Sequence, residues 1–573
     1  MGCEFDKRTD VNEPTTATPG GETTVACHAC GKEHTEAEFL AELRVCPLCG
    51  WHAPLTAQEW IDHLADADTF KEIGRSLFSA DPLQFNSPTP YRERLREAER
   101  RTGMQEAALS GEARLDGHPI VLISLAFDFL GGTMGSVVGE KVARAFQVTT
   151  RKKLPVVSIL ASGVARIQEG MLALIQMAKT AIAVSEHSAA RLPYISVLTN
   201  PSFGGTFASF GSLGDILIGE PGAQIGFVGA RVVEGTIAEK IPEHERQAET
   251  LLEHGMIDMV LPRHQLRNQL AVLASQLKSD GPAQWPAVQL APTPKPSREA
   301  AEVIELARLP ARPRSRDYVN RIFSSFIELH GDRCYGDDPA IVGGIADLQG
   351  HPIILIAQTG QVMPLPEGYR KAQRLLRLAD KCSLPVITLV DTPGAFPGLA
   401  AEHRGIALTI GESLAALAAL EVPVTNIVIG EGGSGGALAL GLADVILMQE
   451  NAIYSVIAPE GAAAILLRDA SKTDELVAGL RLRAHDLLEL GIIDDIVPES
   501  QGGAHRDALA AARLLMERAV HHLNRLTGIK PRRLVKNRAQ RYRAIGTFER
   551  GIIRKARDLL RRIKGTAKLR PAI

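Results

Sequence analysis

Two tandem copies of one α/β domain, preceded by a small cysteine-clamped module, are what this sequence predicts. Three observations predict it. Landmarks recur at a nearly constant offset: Leu154-Pro155-Val156-Val157 returns as Leu384-Pro385-Val386-Ile387, and Leu192-Pro193-Tyr194 as Val422-Pro423-Val424, each 230 residues later. Gly204-Gly205 is answered by Gly435-Gly436 at 231, and Asp215-Ile216-Leu217-Ile218 by Asp444-Val445-Ile446-Leu447 at 229. Within each copy, short proline-led apolar runs alternate with helical periodicity, the pattern of strands buried on both faces under crossover helices. Finally, four cysteines stand in two close pairs ahead of the first copy.

The elements follow in order. Residues 1–25 are polar and rich in Gly, Thr and Pro, and are expected to be disordered. Residues 26–60 hold Cys27-x2-Cys30-x15-Cys46-x2-Cys49, a spacing that suits a tetrahedral structural zinc with no coordination position left for substrate. The first large domain is expected over 61–280. In it Pro155–Ala161 and Pro193–Thr199 read as strands, and Glu169–Ser185 as the helix crossing between them. Gly204-Gly205 then opens a further helix. Residues 281–298, with five prolines from Pro282 to Pro296, read as a linker. The second domain spans 299–546 and repeats the order up to Gly435-Gly436. Residues 547–573 form a basic amphipathic tail.

Composition narrows the function. The chain has 573 residues, 45% apolar and 23% charged, and a net charge of −2, so it is globular with no uniform polyanion-binding surface. That balance hides a contrast, because Lys530–Ile573 carries 16 Lys/Arg against 2 Asp/Glu while the rest sums to −16. The ribbon has Lys32 and Arg44 against five glutamates, a poor surface for phosphate, so nucleic-acid binding is not expected. There is no run of about 20 apolar residues to cross a membrane. Met1-Gly2-Cys3-Glu4-Phe5-Asp6 lacks the apolar segment of a secretory signal, and the unpatterned cysteines suit a reducing cytoplasm.

Few residues offer chemistry. Gly204-Gly205 and Gly435-Gly436 place backbone amides at helix starts with no side chain in the way. Such amides bind a phosphate or the oxygen of an enolate, and close backbone packing is the competing reading. Asp391 reads either as a general base or as a turn-capping aspartate. No nucleophile elbow, zincin helix or kinase set is present.

The sequence resembles the carboxyltransferase component of bacterial acetyl-CoA carboxylase, with the zinc-bearing β subunit fused ahead of the α subunit. The β likeness runs from Cys27 to about Val260, through Leu130–Gly139, Gln176–Thr180 and Leu192–Leu198. The α likeness runs from His330 to about Arg543, through Pro366–Ala372, Asp391–Gly398, Gly430–Gly436 and Tyr454–Gly461. The resemblance implies a ClpP/crotonase-like fold in each half, with acyl-CoA on the first half and biotin on the second. It implies carboxyl transfer from carboxybiotin on a separate carrier protein to acetyl-CoA, with biotin carboxylase as a further partner. It also implies a homodimer or higher oligomer with the site between copies. On that analogy Gly204, Gly205, Gly435 and Gly436 are the catalytic oxyanion donors. Gly131, Gly132, Met134, Gly135, Ser162, Gly163, Ala165 and Arg166, together with Pro393, Gly394 and Ala395, are the cofactor-binding positions.

Two departures from the family pattern stand out. Val164 replaces a glycine in Ser162-Gly163-Val164-Ala165-Arg166, which is costly if that position needs φ > 0. Between Gln358 and Met363 only four residues remain of a longer family loop. A different acyl-CoA, or a biotin-dependent decarboxylase, is the nearest enzymatic alternative. A non-catalytic scaffold or RNA-binding regulator is the alternative of another class.

Overall fold

A computed structural model describes residues 16–17, 23–238, 240–277, 281, 283–360 and 362–546. Most of the 1–25 segment and the whole 547–573 tail lie outside the described residues. The cysteine module is a small antiparallel sheet, Thr16–Ala17, Thr23–Ala26 and Glu33–Thr35, followed by the helix Glu36–Ala41. Its first strands begin ahead of residue 26. The helix Ala57–Leu64 turns Trp60, Ile61 and Leu64 into the main hydrophobic core instead.

The first half is built on β1 (Ala108–Leu115), β2 (His118–Leu125), β3 (Val156–Ser162), β4 (Tyr194–Phe203), β5 (Ile216–Gly219) and β6 (Met259–Val260). The second is built on β7 (Ile341–Leu348), β8 (His351–Gln358), β9 (Val386–Thr392), β10 (Val424–Gly433), β11 (Val445–Gln449) and β12 (Asp495–Val497). In each half an antiparallel hairpin leads into parallel strands in consecutive order. The hairpin turns are also copies. Asp116 and Gly117 have φ of 49° and 77°, Gln349 and Gly350 have 53° and 86°, and both central residues positive is the two-residue turn that suits strand twist.

Crossover helices cover the sheets: α1 (Ser136–Lys152) and α2 (Met171–Ala189) in the first half, α4 (Pro366–Cys382) and α5 (Ile406–Ala419) in the second. Lys141 of α1 and Lys371 of α4, 230 residues apart, each bury their stem and bond a carboxylate and a backbone carbonyl near the hairpin strand. The strands β3 and β9 are buried along their whole length. Their side chains belong to cores that meet across the seam, so that Ile195 and Val197 share one cluster with Ile354, Ile356 and Tyr369.

The linker is extended where described, but it is not free. Trp285 is buried in the second half's core, donates from its indole to Leu348 O at 2.7 Å, and exchanges two bonds with Asn524. The first part of the basic C-terminal region is likewise spent on its own domain. Helix Pro531–Ala544 inserts Arg538 between Asp444 and the carbonyls of Leu417, Leu420 and Val422.

Candidate functional site: two glycine loops and a four-cysteine centre

In the first half, the loop after β2 and the loop after β3 zip together. Gly163 N donates to Gly131 O at 2.9 Å, Met134 N to Val164 O at 3.2 Å, and Arg166 N to Met134 O at 3.0 Å. These contacts give several of the expected site residues a packing reason. A Cβ on Gly132 would meet Ala161 O at 2.0 Å, and one on Gly135 would meet the Glu169 carboxylate at 2.4 Å. Glu169 in turn accepts from Ser136 N at 2.7 Å and caps α1. Val164 carries no positive φ, so a β-branched residue fits there without strain. Its amide donates to no described group.

Arg166 is not poised for a cofactor. It is 1% exposed, and its guanidinium forks onto Glu106 at 2.8 and 2.6 Å while the remaining donors go to Thr133 and Tyr91. No donor is left for an incoming phosphate. Its work is to hold the loop that carries Val164 and Ala165.

β4 then runs into α3 (Gly204–Phe207), a single helical turn that Gly204-Gly205 opens as expected. Gly204 has φ +67° and its absent Cβ would lie 2.7 Å from Val164 Cα, so only glycine fits. Its N–H is already given to Phe227 O at 2.9 Å. The free donor is Gly205, whose amide bonds to no described group.

In the second half, β10 runs into α6 (Ser434–Gly441). Ser162 pairs with Ser202 and Thr392 with Gly432, while Phe203 and Gly433 each pair with the short strand beyond. Gly204 therefore corresponds to Ser434, which shares its positive φ at 52°, and Gly205 corresponds to Gly435. The match of Gly204-Gly205 to Gly435-Gly436 is thus out by one residue, because glycine is needed at different steps of the two turns. Gly436 is held by packing: a Cβ there would meet Ala395 N at 2.2 Å and Gly394 C at 2.7 Å. A Cβ on Gly435 would meet nothing within 4 Å. The amides of Gly435, Gly436 and Ala395 lack described partners, and Ala395 N lies close against Gly436 at the helix start.

Asp391 neither caps its own turn nor faces the opening. It is 1% exposed on β9, accepts from Arg314 Nη1 at 2.8 Å and from Glu431 N at 3.0 Å, and is given room by Gly360 and Gly430. Burial drives its carboxyl above the usual range, and Arg314 opposes that. The two loops are therefore held by buried ion pairs of opposite polarity. In the first half the loop supplies the cation, Arg166, and in the second the strand end supplies the anion, Asp391. Pro393 and Gly394 follow, with Gly394 at φ +149°, and Pro393 O stands 2.0 Å from where a Cβ of Gly433 would be.

The cysteines form the second centre. Cys27, Cys30, Cys46 and Cys49 bring their sulfurs within 4.8 Å of one another, with Cys27–Cys49 at 3.6 Å and Cys30–Cys46 at 3.8 Å. Four sulfurs about 2.3 Å from one tetrahedral ion lie about 3.8 Å apart, so the set fits a metal such as zinc. Each pair sits on a knuckle closed by a glycine in the left-handed region, Gly31 at 70° and Gly50 at 72°. His34 Nε2 lies 3.4 Å from Cys46 Sγ as an outer partner. The module is fastened by Arg263, which no local sequence pattern singles out. It is 1% exposed, pairs with Glu220 at 2.7 and 2.9 Å, donates to Leu43 O and Ala53 O, and stacks over Trp60.

Comparisons with known proteins agree with this geometry. Residues 297–546 match the family described as acetyl co-enzyme A carboxylase carboxyltransferase-like. Acetyl-coenzyme A carboxylase carboxyl transferase subunits beta/alpha of Saccharopolyspora erythraea is 42% identical over 526 residues, covering 89% of this chain and 92% of that one. The protein of the same description from Salinispora arenicola is 40% identical over 558 residues, covering 94% and 99%. Among solved structures, transcarboxylase 12S aligns with a TM-score of 0.65 at 20% identity over 84% of this chain and 92% of its own. That likeness establishes the crotonase-type fold of both halves.

Proposed function

The chain belongs to the acetyl-CoA carboxylase carboxyltransferase family, with β-type and α-type halves in one polypeptide, and from that premise we propose its reaction. A carboxyl group passes from carboxybiotin, borne by a separate carrier protein, to the methyl carbon of acetyl-CoA, giving malonyl-CoA for fatty acid or polyketide synthesis. The observation that carries this reading is the matched register of Gly205 and Gly435. At the same point of two duplicated halves, strand passes into helix and leaves amides without partners.

The residues divide the work as follows. As the α-proton leaves the acyl group, charge develops on the thioester oxygen, and Gly205 with Val164 supplies the donors of the first half. Gly435, Gly436 and Ala395 supply those of the second half, for the ureido oxygen of biotin. Fixed amides stabilise developing charge without reorganising. Asp391 is enclosed and already bonded, so the proton acceptor comes with the carried biotin rather than from this carboxylate. Cys27, Cys30, Cys46 and Cys49 hold a structural zinc, which supplies rigidity to the ribbon and takes no part in the reaction.

Biotin carboxylase and the carrier protein are the partners, and the cytoplasm is the compartment that keeps the cysteines reduced. Among the described residues no helix is long and apolar enough to cross a membrane. Oligomerisation rests on an exposed stripe along α2, Met171, Leu174, Ile175 and Ile182, beside the first glycine loop. The test is reconstitution with biotin carboxylase, biotinylated carrier, ATP, bicarbonate and a panel of acyl-CoAs. Preferred carboxylation of acetyl-CoA supports the reading, and preference for a longer acyl-CoA reassigns the substrate. Failure with every acyl-CoA makes the chain a scaffold.

A further inference from the structure

At the far end of the sheets from the glycine loops, a cavity of about 510 Å³ opens on the seam between the halves. It lies at the N-terminal end of β4, so the ten residues Tyr194–Phe203 separate it from Gly204, about 30 Å of strand. Five cations line it: Arg191 from the first half, and Arg333, Arg374, Arg377 and Lys381 from the second.

Three of them are matched by acceptors, and two, Arg333 and Arg377, keep unused donors. Lys381 is matched by Asp215 at 2.7 and 2.8 Å, and Arg191 by Glu421 at 3.2 Å and Asp380. Arg333 and Arg374 share the carboxylate of Asp258, and they also donate to backbone carbonyls, Arg333 to Met256 O at 3.0 Å and Arg374 to Gly331 O and His330 O at 3.1 and 2.8 Å. The Arg333 Nε is buried with no acceptor. Arg377, among the described residues, makes no hydrogen bond or ion pair, and Glu412 is the acid that faces it without contact. Burial pulls the Arg333 guanidinium down to about 10, with Asp258 working against it, so it stays charged at neutral pH.

The second half shows what a filled version of this place looks like. There Asp444 holds the start of β10 as Asp215 holds the start of β4. Arg538 enters from the C-terminal helix and bonds Asp444 at 3.0 and 2.7 Å together with three carbonyls. In the first half Lys381 takes that part at Asp215, and the cavity beside it keeps the spare donors of Arg333 and Arg377.

We propose that this seam cavity is a binding site for a small phosphate-class anion, held by Arg333 and Arg377 and bridging the two halves. Pyrophosphate matches the chemistry, since arginine forks pair with phosphate oxygens. Because the ligand would touch Arg191 on one half and α4 on the other, its binding stabilises the seam. The proposal does not depend on the carboxyl-transfer reading.

The experiment is calorimetric titration of the full chain with sodium pyrophosphate at fixed ionic strength, with and without saturating CoA. Expected is one saturable site per chain, unaffected by CoA, and weakened at least about tenfold by Arg377→Ala, roughly the loss of one charge-assisted bond. Arg377 is exposed, so that variant keeps its fold. Arg144→Ala, on the outer face of α1, serves as the control and should bind as the parent does. Absence of saturable heat, displacement by CoA, or unchanged affinity in Arg377→Ala would each overturn the proposal.

Discussion

Gly435→Ala tests the second glycine loop without asking the fold to change. Gly435 is the second residue of α6, is free of positive φ, and has open space where a Cβ would go. Replacing glycine by alanine at such a position stabilises by about 0.4–1 kcal/mol, chiefly by restricting the unfolded chain. In a domain of this size each kcal/mol moves the thermal midpoint by about 2–4 °C. The expected change in midpoint is therefore between nothing and a rise of a few degrees.

Activity should move the other way. Cβ atoms tilt toward a helix N-terminus, so the new methyl stands beside the amides of Gly435 and Gly436. An oxygen must come within about 2.7–3.1 Å of those amides to be stabilised. Losing one such donor costs about 2.7–4 kcal/mol, a hundred- to a thousand-fold in kcat. The assay is single-turnover transfer from carboxylated carrier to acetyl-CoA, run beside a melting curve. Gly436→Ala is the counter-case, because its Cβ must push against Ala395 N at 2.2 Å and should lower the midpoint as well. A folded Gly435→Ala with near-normal turnover would refute the reasoning and leave these glycines as packing devices.

Four other outcomes are expected. Replacing Cys27 and Cys46 by serine should remove one equivalent of zinc by elemental analysis and loosen the ribbon; full metal content would sink the four-cysteine centre. Arg263→Ala leaves Glu220 buried and unpaired, a loss of about 3–5 kcal/mol, seen as a lower midpoint and faster proteolysis near Leu43–Ala53. Arg166→Ala should cost stability on a similar scale through Glu106 while the folded fraction keeps its CoA affinity, and a selective loss of CoA binding would return Arg166 to the pocket. His187 is 0% exposed, and burial draws it down to about 4 from 6.5. Its contribution is complete above pH 6.5 and is lost as pH falls toward 4, by roughly 3 kcal/mol, because only the unfolded chain takes up the proton. His187→Gln should flatten the midpoint against pH over that window, and an unchanged slope would remove His187 as the cause.

Much of the fold is legible in the sequence because duplication turns weak local signals into paired ones. Pro155 and Pro385 each precede a buried strand, and each prediction supports the other. Two further pairs went unread: the hairpin turns at Asp116-Gly117-His118-Pro119 and Gln349-Gly350-His351-Pro352, and the lysines Lys141 and Lys371. The glycine register slipped by one because glycine spelling is not glycine geometry. The turn needs left-handed backbone at Gly204 and Ser434, and serine satisfies that in one copy. Arg166 and Arg263 were misread or missed for another reason. Their partners, Glu106 and Glu220, lie 60 and 43 residues away, and no local pattern links them. Trp285 sat in a proline-rich stretch whose composition argued against any core role.

The anchoring of Trp285 has a consequence for stoichiometry. Leu277 ends a helix of the first half and Trp285 is seated in the second, so eight residues, about 28 Å at full stretch, are all that join them. Docking of the halves is therefore an intramolecular event at an effective concentration in the millimolar range, fixed at one to one and independent of expression level. The seam joins Ile195 and Val197 to Ile354, Ile356 and Tyr369 in one apolar cluster, and under those conditions that cluster forms with little further loss of freedom. Separate subunits would have to hold the same surface together at cellular dilution, by its intrinsic affinity alone.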